Sequence, residues 1–206
     1  SPTSPLGTKT KSTPYGSIDR PMHPLTVALG AGATFVARVP DSDNEMLFDV
    51  FNAAVAHEGI AMIEVLINCV IFNDGAFLPL TDKATRPDNT VKLETGKPLI
   101  FGANRDKGIR MDGAHPTVVK VGEGGVPESE IVVHDPSNPN AGYSFMLAEM
   151  GGDFPVPFGI LRQVKDHVYQ PSTGTPTPEG FAKAMRGSAA WVCEEDGSVH
   201  SYVEKR

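Results

Sequence analysis

Few residues in this chain have both the type and the placing for chemistry, and Cys69 stands out among them. It comes near the end of the longest apolar run, Gly59 to Asp74, beside Asn68 and just before a turn signal at Asn73-Asp74-Gly75. A run of that length rich in Ile and Val reads as a strand buried on both faces, in the middle of a parallel sheet. A buried helix segment is the rival reading; the β-branched content and the Asn-Asp-Gly stop count against it. Open α/β sheets place their ligands at the carboxyl ends of parallel strands. A thiol at that position is either a small buried hydrophobe, the common state of a cysteine, or a ligand or reactive group at a site.

The other candidates are weaker. His134-Asp135 and Asp153 have acid/base chemistry, but such residues more often sit in turns at strand ends. Arg105, Lys107 and Arg110 follow a strand and could face an anion such as a phosphate; a solvated loop is the plainer reading. Cys193 lacks the cationic neighbour that would lower its pKa and is expected to be inert. Gly30-x-Gly32 lacks the third glycine of a dinucleotide fingerprint and precedes a strand where a helix should start, so it reads as a helix stop.

The elements that must position these residues follow from the periodicity. Residues 1 to 21 are rich in Pro, Ser, Thr and Gly and read as an irregular loop. Pro24 opens a short helix with an apolar body of Leu25, Val27, Ala28 and Leu29. Ala33 to Val39 is a strand by β-propensity. Ser42 or Asp43 caps a helix over 43–58, whose Leu47, Val50, Phe51, Ala54 and Val55 recur on one face. The buried strand follows, so residues 33–72 predict a parallel strand–helix–strand unit.

Residues 73–97 are expected to be a long connection with at most one short helix. Pro98 to Gly102, Gly108 to Met111, Thr117 to Val121, Ile131 to His134 and Phe158 to Arg162 read as strands, the last of them isolated. Asn140 to Met150 reads as a helix with Tyr143, Met146, Leu147 and Met150 on one face. Residues 171–178 are linker-like, and the segments flanking Asp196-Gly197 read as a terminal hairpin.

Composition narrows the class. Hydrophobic content of 40% and charged content of 21% are ordinary for a globular domain. The net charge of −7 with no basic block argues against nucleic acid as a partner. Glu64 interrupts the longest apolar run, so no segment reads as a membrane span. Two cysteines far apart make neither a disulfide framework nor a metal knuckle, which fits a reducing, cytoplasmic location. The start at Ser1, with no secretory pattern, leads us to expect a fragment or a processed product.

Several blocks carry a family resemblance. Ser1-Pro2-Thr3, with Thr8-Lys9-Thr10-Lys11-Ser12-Thr13-Pro14-Tyr15-Gly16, resembles the segment just downstream of the thiamine diphosphate motif in β subunits of 2-oxoacid:ferredoxin oxidoreductases. Ala31 to Arg38 is similar to the next block of that family, and Glu64 to Asn73 is similar to its cysteine block. Gly96 to Gly102 with Lys107 to Arg110, then Val133-His134-Asp135, then Phe154 to Gly159, resemble the carboxyl-terminal extension of the 2-oxoglutarate-type branch. The likeness covers residues 1 to 165.

The resemblance implies an α/β fold, part of a thiamine diphosphate-binding fold with a parallel sheet. Residues 1–75 would be the carboxyl-terminal part of that domain, 76–170 a family-specific extension, and 171–206 a linker and hairpin. It implies oxidative decarboxylation of a 2-oxoacid, 2-oxoglutarate first among them. Thiamine diphosphate with Mg²⁺ and a 4Fe-4S cluster would be the cofactors. Ferredoxin would receive the electrons and coenzyme A the acyl group, in a heterodimer with an α subunit. Cys69 falls where the family has the fourth cysteine of the cluster, which needs four thiolates.

The Gly-Asp-Gly and Asn that hold Mg²⁺ and the diphosphate, and the other cluster cysteines, are absent from this sequence and would lie before Ser1. The chain is therefore expected to be the carboxyl-terminal portion of such a β subunit, its amino-terminal part either removed by truncation or cleavage or supplied as a separate chain, and to be inactive alone. The rival is a non-catalytic assembly module that keeps the fold and uses it to bind a partner subunit.

Overall fold

Proline suits the first turn of a helix, where its missing N–H costs nothing. In the computed structural model, α1 runs Pro24–Gly30. The amides of Ala31 and Gly32 turn back onto Val27 O and Leu29 O at 2.9 and 3.0 Å. Gly32 takes φ +83°, a conformation that glycine adopts without strain. The Gly-x-Gly pair is thus a helix stop, as its context indicated. The model describes residues 4–11, 13–71, 73–165, 191–193 and 199–201. It divides into two units, residues 1–165 and 166–206, each taken by itself.

The strand–helix–strand unit is present. β1 is Phe35–Pro40, α2 is Asn44–Val55 and β2 is Ala61–Leu66. The Asp43 side chain caps α2 by accepting from the Met46 amide at 3.1 Å. β1 and β2 pair in parallel, Phe35 opposite Ala61 through Pro40 opposite Leu66. Gly59 makes the return with φ +144°, where a Cβ would collide with the Thr34 side chain.

The placing of β2 corrects the expectation of a strand buried in the middle of the sheet. The strand ends at Leu66, and the sheet order is β2-β1 followed by two strands from later in the chain, so β2 is an edge. Its residues from Met62 to Leu66 are only half-buried, and Ile67, Val70 and Ile71 are exposed. An apolar run in sequence records what a strand is able to bury, not how many neighbours reach it.

The connection after β2 holds more structure than expected. α3 (Leu78–Thr81) and α4 (Arg86–Asn89) are both short, and β3 (Thr90–Lys92) follows. Each helix carries its proline in the first turn, where proline starts helices as readily as it marks loops. β4 (Ile100–Phe101), β5 (Lys107–Asp112) and β6 (His115–Lys120) then make an antiparallel three-stranded sheet.

Ile131 to His134 is not a strand of either sheet. It runs extended between them, with Leu99 N on Val132 O at 2.8 Å, Val132 N on Ile109 O at 2.8 Å and His134 N on Lys97 O at 2.9 Å. α5 (Ala141–Glu149) is capped by Asn140, whose side chain accepts from Gly142 N.

β7 runs Val156–Gln163. The sequence reads Phe158 to Arg162 as a strand set between two Pro residues and a polar segment, without its partners, and it lies inside the four-stranded sheet, order β2-β1-β7-β3. It is antiparallel to β1, with a register shift at Val36/Ala37, and parallel to β3. The sheet is therefore mixed, with parallel pairs on either side of one antiparallel pair. Neighbouring residues of β1 point to opposite faces. Phe35, Ala37 and Val39 pack with Met46, Leu47, Val50 and Ala54 of α2. Val36 packs with Leu25 and Leu29 of α1 and Leu147 of α5.

In the second unit, β8 (Trp191–Cys193) and β9 (Val199–Ser201) pair antiparallel. The linker-like residues 171–178 and the Asp196-Gly197 turn lie outside the described residues, as does the Cys193 side chain. Among the described residues no helix is long and apolar enough to cross a membrane.

Candidate functional site

The loop after β2 is built by Asn68. Its Nδ2 donates to Asp74 Oδ1 at 2.8 Å, and its Oδ1 accepts from the Gly75 amide at 2.8 Å. Between these anchors the Asn73 amide donates to Cys69 O at 2.9 Å, which closes the turn. A side-chain amide that bonds in both directions holds a loop without help from a core. Cys69 sits in this turn, exposed. The turn follows the carboxyl end of β2, where the Asp41 amide donates to Leu66 O at 3.1 Å, so the ends of both parallel strands meet beside it. This is the sheet end where ligands bind in open α/β folds.

Cys69 is exposed and so is not the small buried hydrophobe of the plainer reading. Asn68 is the residue that sequence reasoning passed over. The only signal for it was its i, i+6 and i+7 spacing to Asp74 and Gly75, which has no helical or strand period.

His134 goes the other way. It is 1% exposed. Its Nε2 is 2.9 Å from Ile160 O and its Nδ1 is 2.9 Å from the Tyr143 hydroxyl. A carbonyl only accepts, so Nε2 carries the proton and Nδ1 accepts from Tyr143. Burial holds the His134 pKa below the ordinary histidine range, against the smaller opposing effects of the Ile160 carbonyl and the Asp135 charge. Burial likewise pushes the Tyr143 hydroxyl up. This neutral pair ties the 131–134 segment to α5 and β7 and is spent on structure. Asp135 accepts from Ser137 N at 2.9 Å and Ser137 Oγ at 2.6 Å, the turn role expected of it. Asp153 is exposed in the turn before β7.

The basic cluster is also accounted for within the chain. Lys107 Nζ lies 2.8 Å from Asp88 and Arg110 Nη1 lies 3.2 Å from Glu130. Hydrogen bonding to Lys107 holds the Asp88 carboxyl below its usual range. Arg105 is exposed at φ 53° in the turn between β4 and β5. A different charge pair is enclosed: Arg38 Nε donates to Glu64 Oε2 at 2.6 Å across β1 and β2, with side chains 12% and 16% exposed. At α2's cap, a cleft of about 220 Å³ is lined by Asp43, Met46, Asp49, Lys92, Leu93 and Gly159, among others.

The donor set was tested against the groups that the family resemblance implies. Among the described residues no three His, Cys, Asp or Glu side chains gather as a metal set. Cys69, exposed on an anchored turn, suits one thiolate ligand of a cluster whose other ligands come from elsewhere. The sequence lacks the motif that holds Mg²⁺ and the diphosphate in that family, and among the described residues no metal set takes its place.

Comparison with known proteins found no matching family model. The chain is similar to the 2-oxoglutarate oxidoreductase subunit KorB of Mycobacterium tuberculosis, 38% identical over 193 residues, which cover 92% of this chain and 51% of the relative. It is similar to the 2-oxoacid:ferredoxin oxidoreductase subunit beta of Saccharolobus solfataricus, 43% identical over 74 residues, 36% of this chain and 24% of the relative. The fold is similar to that of a 2-oxoglutarate:ferredoxin oxidoreductase from Magnetococcus marinus with 2-oxoglutarate, coenzyme A and succinyl-CoA bound. The TM-score is 0.50 at 22% identity, over 90% of this chain and 45% of that one. The chain thus spans about half the length of the KorB relative. On the sequence likenesses, the first of them over 92% of its length, the chain belongs to the family of 2-oxoacid:ferredoxin oxidoreductase β subunits.

Proposed function

We propose that this chain is the carboxyl-terminal portion of a β subunit that, with an α subunit, oxidatively decarboxylates a 2-oxoacid to its acyl-CoA. In this reading 2-oxoglutarate is the substrate, coenzyme A the acyl acceptor and ferredoxin the electron acceptor, in the cytoplasm. Residues 1–75 complete a thiamine diphosphate-binding domain, and residues 76–170 are its extension.

Cys69 carries the proposal. Its thiolate ligates one iron of a 4Fe-4S cluster, and the remaining thiolates come from the rest of the complete subunit. When bound, such a cluster supplies one-electron transfer. What supports the assignment is the placing of the thiol, exposed on a turn that Asn68 anchors at the carboxyl end of β2. A ligand on an anchored turn needs little reorganisation to meet the metal.

Replacing Cys69 by Ala in the complete enzyme tests the assignment. Iron content and the low-temperature EPR signal of the reduced cluster should fall, while 2-oxoacid binding changes much less. A variant that keeps its full iron complement and its EPR signal returns Cys69 to an ordinary loop residue. The 206-residue chain by itself should show no turnover, and calorimetry should find no tight Mg²⁺-dependent binding of thiamine diphosphate.

A further inference from the structure

The turn that carries Cys69 has hydrogen bonds in place of a core. Ile67, Val70 and Ile71 are 59%, 73% and 77% exposed, and Cys69 is exposed among them. Apolar burial therefore does not fix the path of this turn. Its two ends do. One is the end of β2, where the Asp41 amide holds Leu66 O. The other is the start of α3, where the Leu78 amide donates to Gly75 O at 3.1 Å. Gly75 takes φ +74°, and a Cβ there would lie 3.1 Å from Leu78 Cδ1.

The Asn68 side chain ties one end to the other, and its two bonds have opposite sense. Nδ2 donates to the Asp74 carboxylate, and Oδ1 accepts from the Gly75 amide. A carboxamide can meet an acceptor and a donor at once. An aspartate at 68 would set two carboxylates against each other, and an alanine would release both partners. The ring closed between residues 68 and 75 contains Cys69, directly after Asn68. The Asn73 amide holds the Cys69 carbonyl from within it. The backbone of the thiol's own residue is thus held from both sides.

We infer that Asn68 and Asp74 are positioning residues for the Cys69 thiolate, a clasp that holds the turn in the form that meets iron. The inference rests on the reading of Cys69 as a cluster ligand. Neither side chain touches the metal. Both act by limiting the positions that Cys69 can take before iron arrives, so less freedom is lost on binding. With the clasp open, the turn swings its ligand away more often. Iron is then lost faster, and the surroundings of the cluster become heterogeneous. The clasp works by direction and not by charge: residue 74 serves as an acceptor, and an amide oxygen there serves as well.

Iron loss to a chelator and the EPR spectrum of the reduced cluster test this in the complete enzyme. Asn68→Asp should speed iron loss at least ~10-fold, the size expected when the partner behind a metal ligand is removed, and should shift or broaden the g values. Adding Asp74→Asn restores the pairing in reverse, with the amide at 74 donating to the carboxylate at 68. This double variant should regain the iron retention and g values of the parent enzyme. Asp74→Asn alone keeps an acceptor oxygen and should change little. Iron loss and g values unmoved by Asn68→Asp overturn the inference, and so does a double variant as labile as the single one. If the urea midpoint falls while the g values stay unchanged, the clasp is merely structural and the inference fails. Cys69→Ala is the control. If it loses the cluster while Asn68→Asp holds it as firmly as the parent, the functional reading stands and this inference falls. If Cys69→Ala keeps the cluster, both fall.

Discussion

β1 carries Phe35-Val36-Ala37-Arg38-Val39 and β2 carries Met62-Ile63-Glu64-Val65-Leu66, two apolar runs with one charge each at matching register. Phe35, Val36, Ala37 and Val39 are fully enclosed, whereas the β2 residues opposite them are half-buried or exposed. The difference is in their neighbours. β1 has β2 on one edge, β7 on the other, and helices over both faces. β2 has β1 alone. The hydrophobic effect scales with the area removed from water, so similar side chains contribute very different amounts in the two strands.

The largest expected effect sets the two strands against each other directly. Phe35→Ala opens a cavity in a closed core and should cost about 3–5 kcal/mol. Ile63→Ala, with part of its side chain already in water, should cost about 1–2 kcal/mol. Urea unfolding of both variants measures the gap. Equal losses would mean that β2 is as enclosed as β1.

The next test uses the Arg38–Glu64 ion pair that spans the two strands. Glu64→Leu leaves the Arg38 guanidinium largely buried without its carboxylate and should cost about 3 kcal/mol. Adding Arg38→Met should restore most of that loss, because two well-packed apolar groups replace a desolvated pair. If the double variant is as unstable as the single one, the pair is not what joins β1 to β2 on that face.

The smallest effect concerns the other edge of β1, where β7 is held by His134. Tyr143→Phe removes the hydroxyl that Nδ1 accepts from and should cost about 1 kcal/mol. The pH dependence has a definite sign. Burial depresses the folded-state pKa of His134, while the unfolded chain titrates near the ordinary value of about 6.5. Below that pH the unfolded state binds a proton that the folded state refuses. The stabilising contribution is therefore full above about 6.5 and declines as the pH falls toward the folded-state pKa. A His134→Gln variant should be less stable at neutral pH and should lack that part of the decline. An unchanged profile would mean that His134 is solvated.

Local rules carried the crossover unit. The three-to-four spacing of Leu47, Val50 and Ala54, the capping Asp43 and the return at Gly59 are each set within a few residues, so strand, helix and strand could be read directly. The α5 cap at Asn140 and the stop at Gly32 are of the same kind. The residues of the candidate site were legible only in part. Cys69 was found by its place at the end of the run, but its exposure was not, and Asn68 carried no periodic signal.

What the sequence by itself determined is the set of elements whose causes are short-range: caps, turns and hydrophobic periods that act within a helix or a strand. Only the tertiary structure decided that β2 is an edge, that β7 enters the sheet antiparallel beside β1, that His134 is buried and that Cys69 faces solvent. Each of those depends on which distant segment arrives as a neighbour. Burial and pairing are properties of the contact between two segments, and a hydrophobic pattern states the capacity of only one of them.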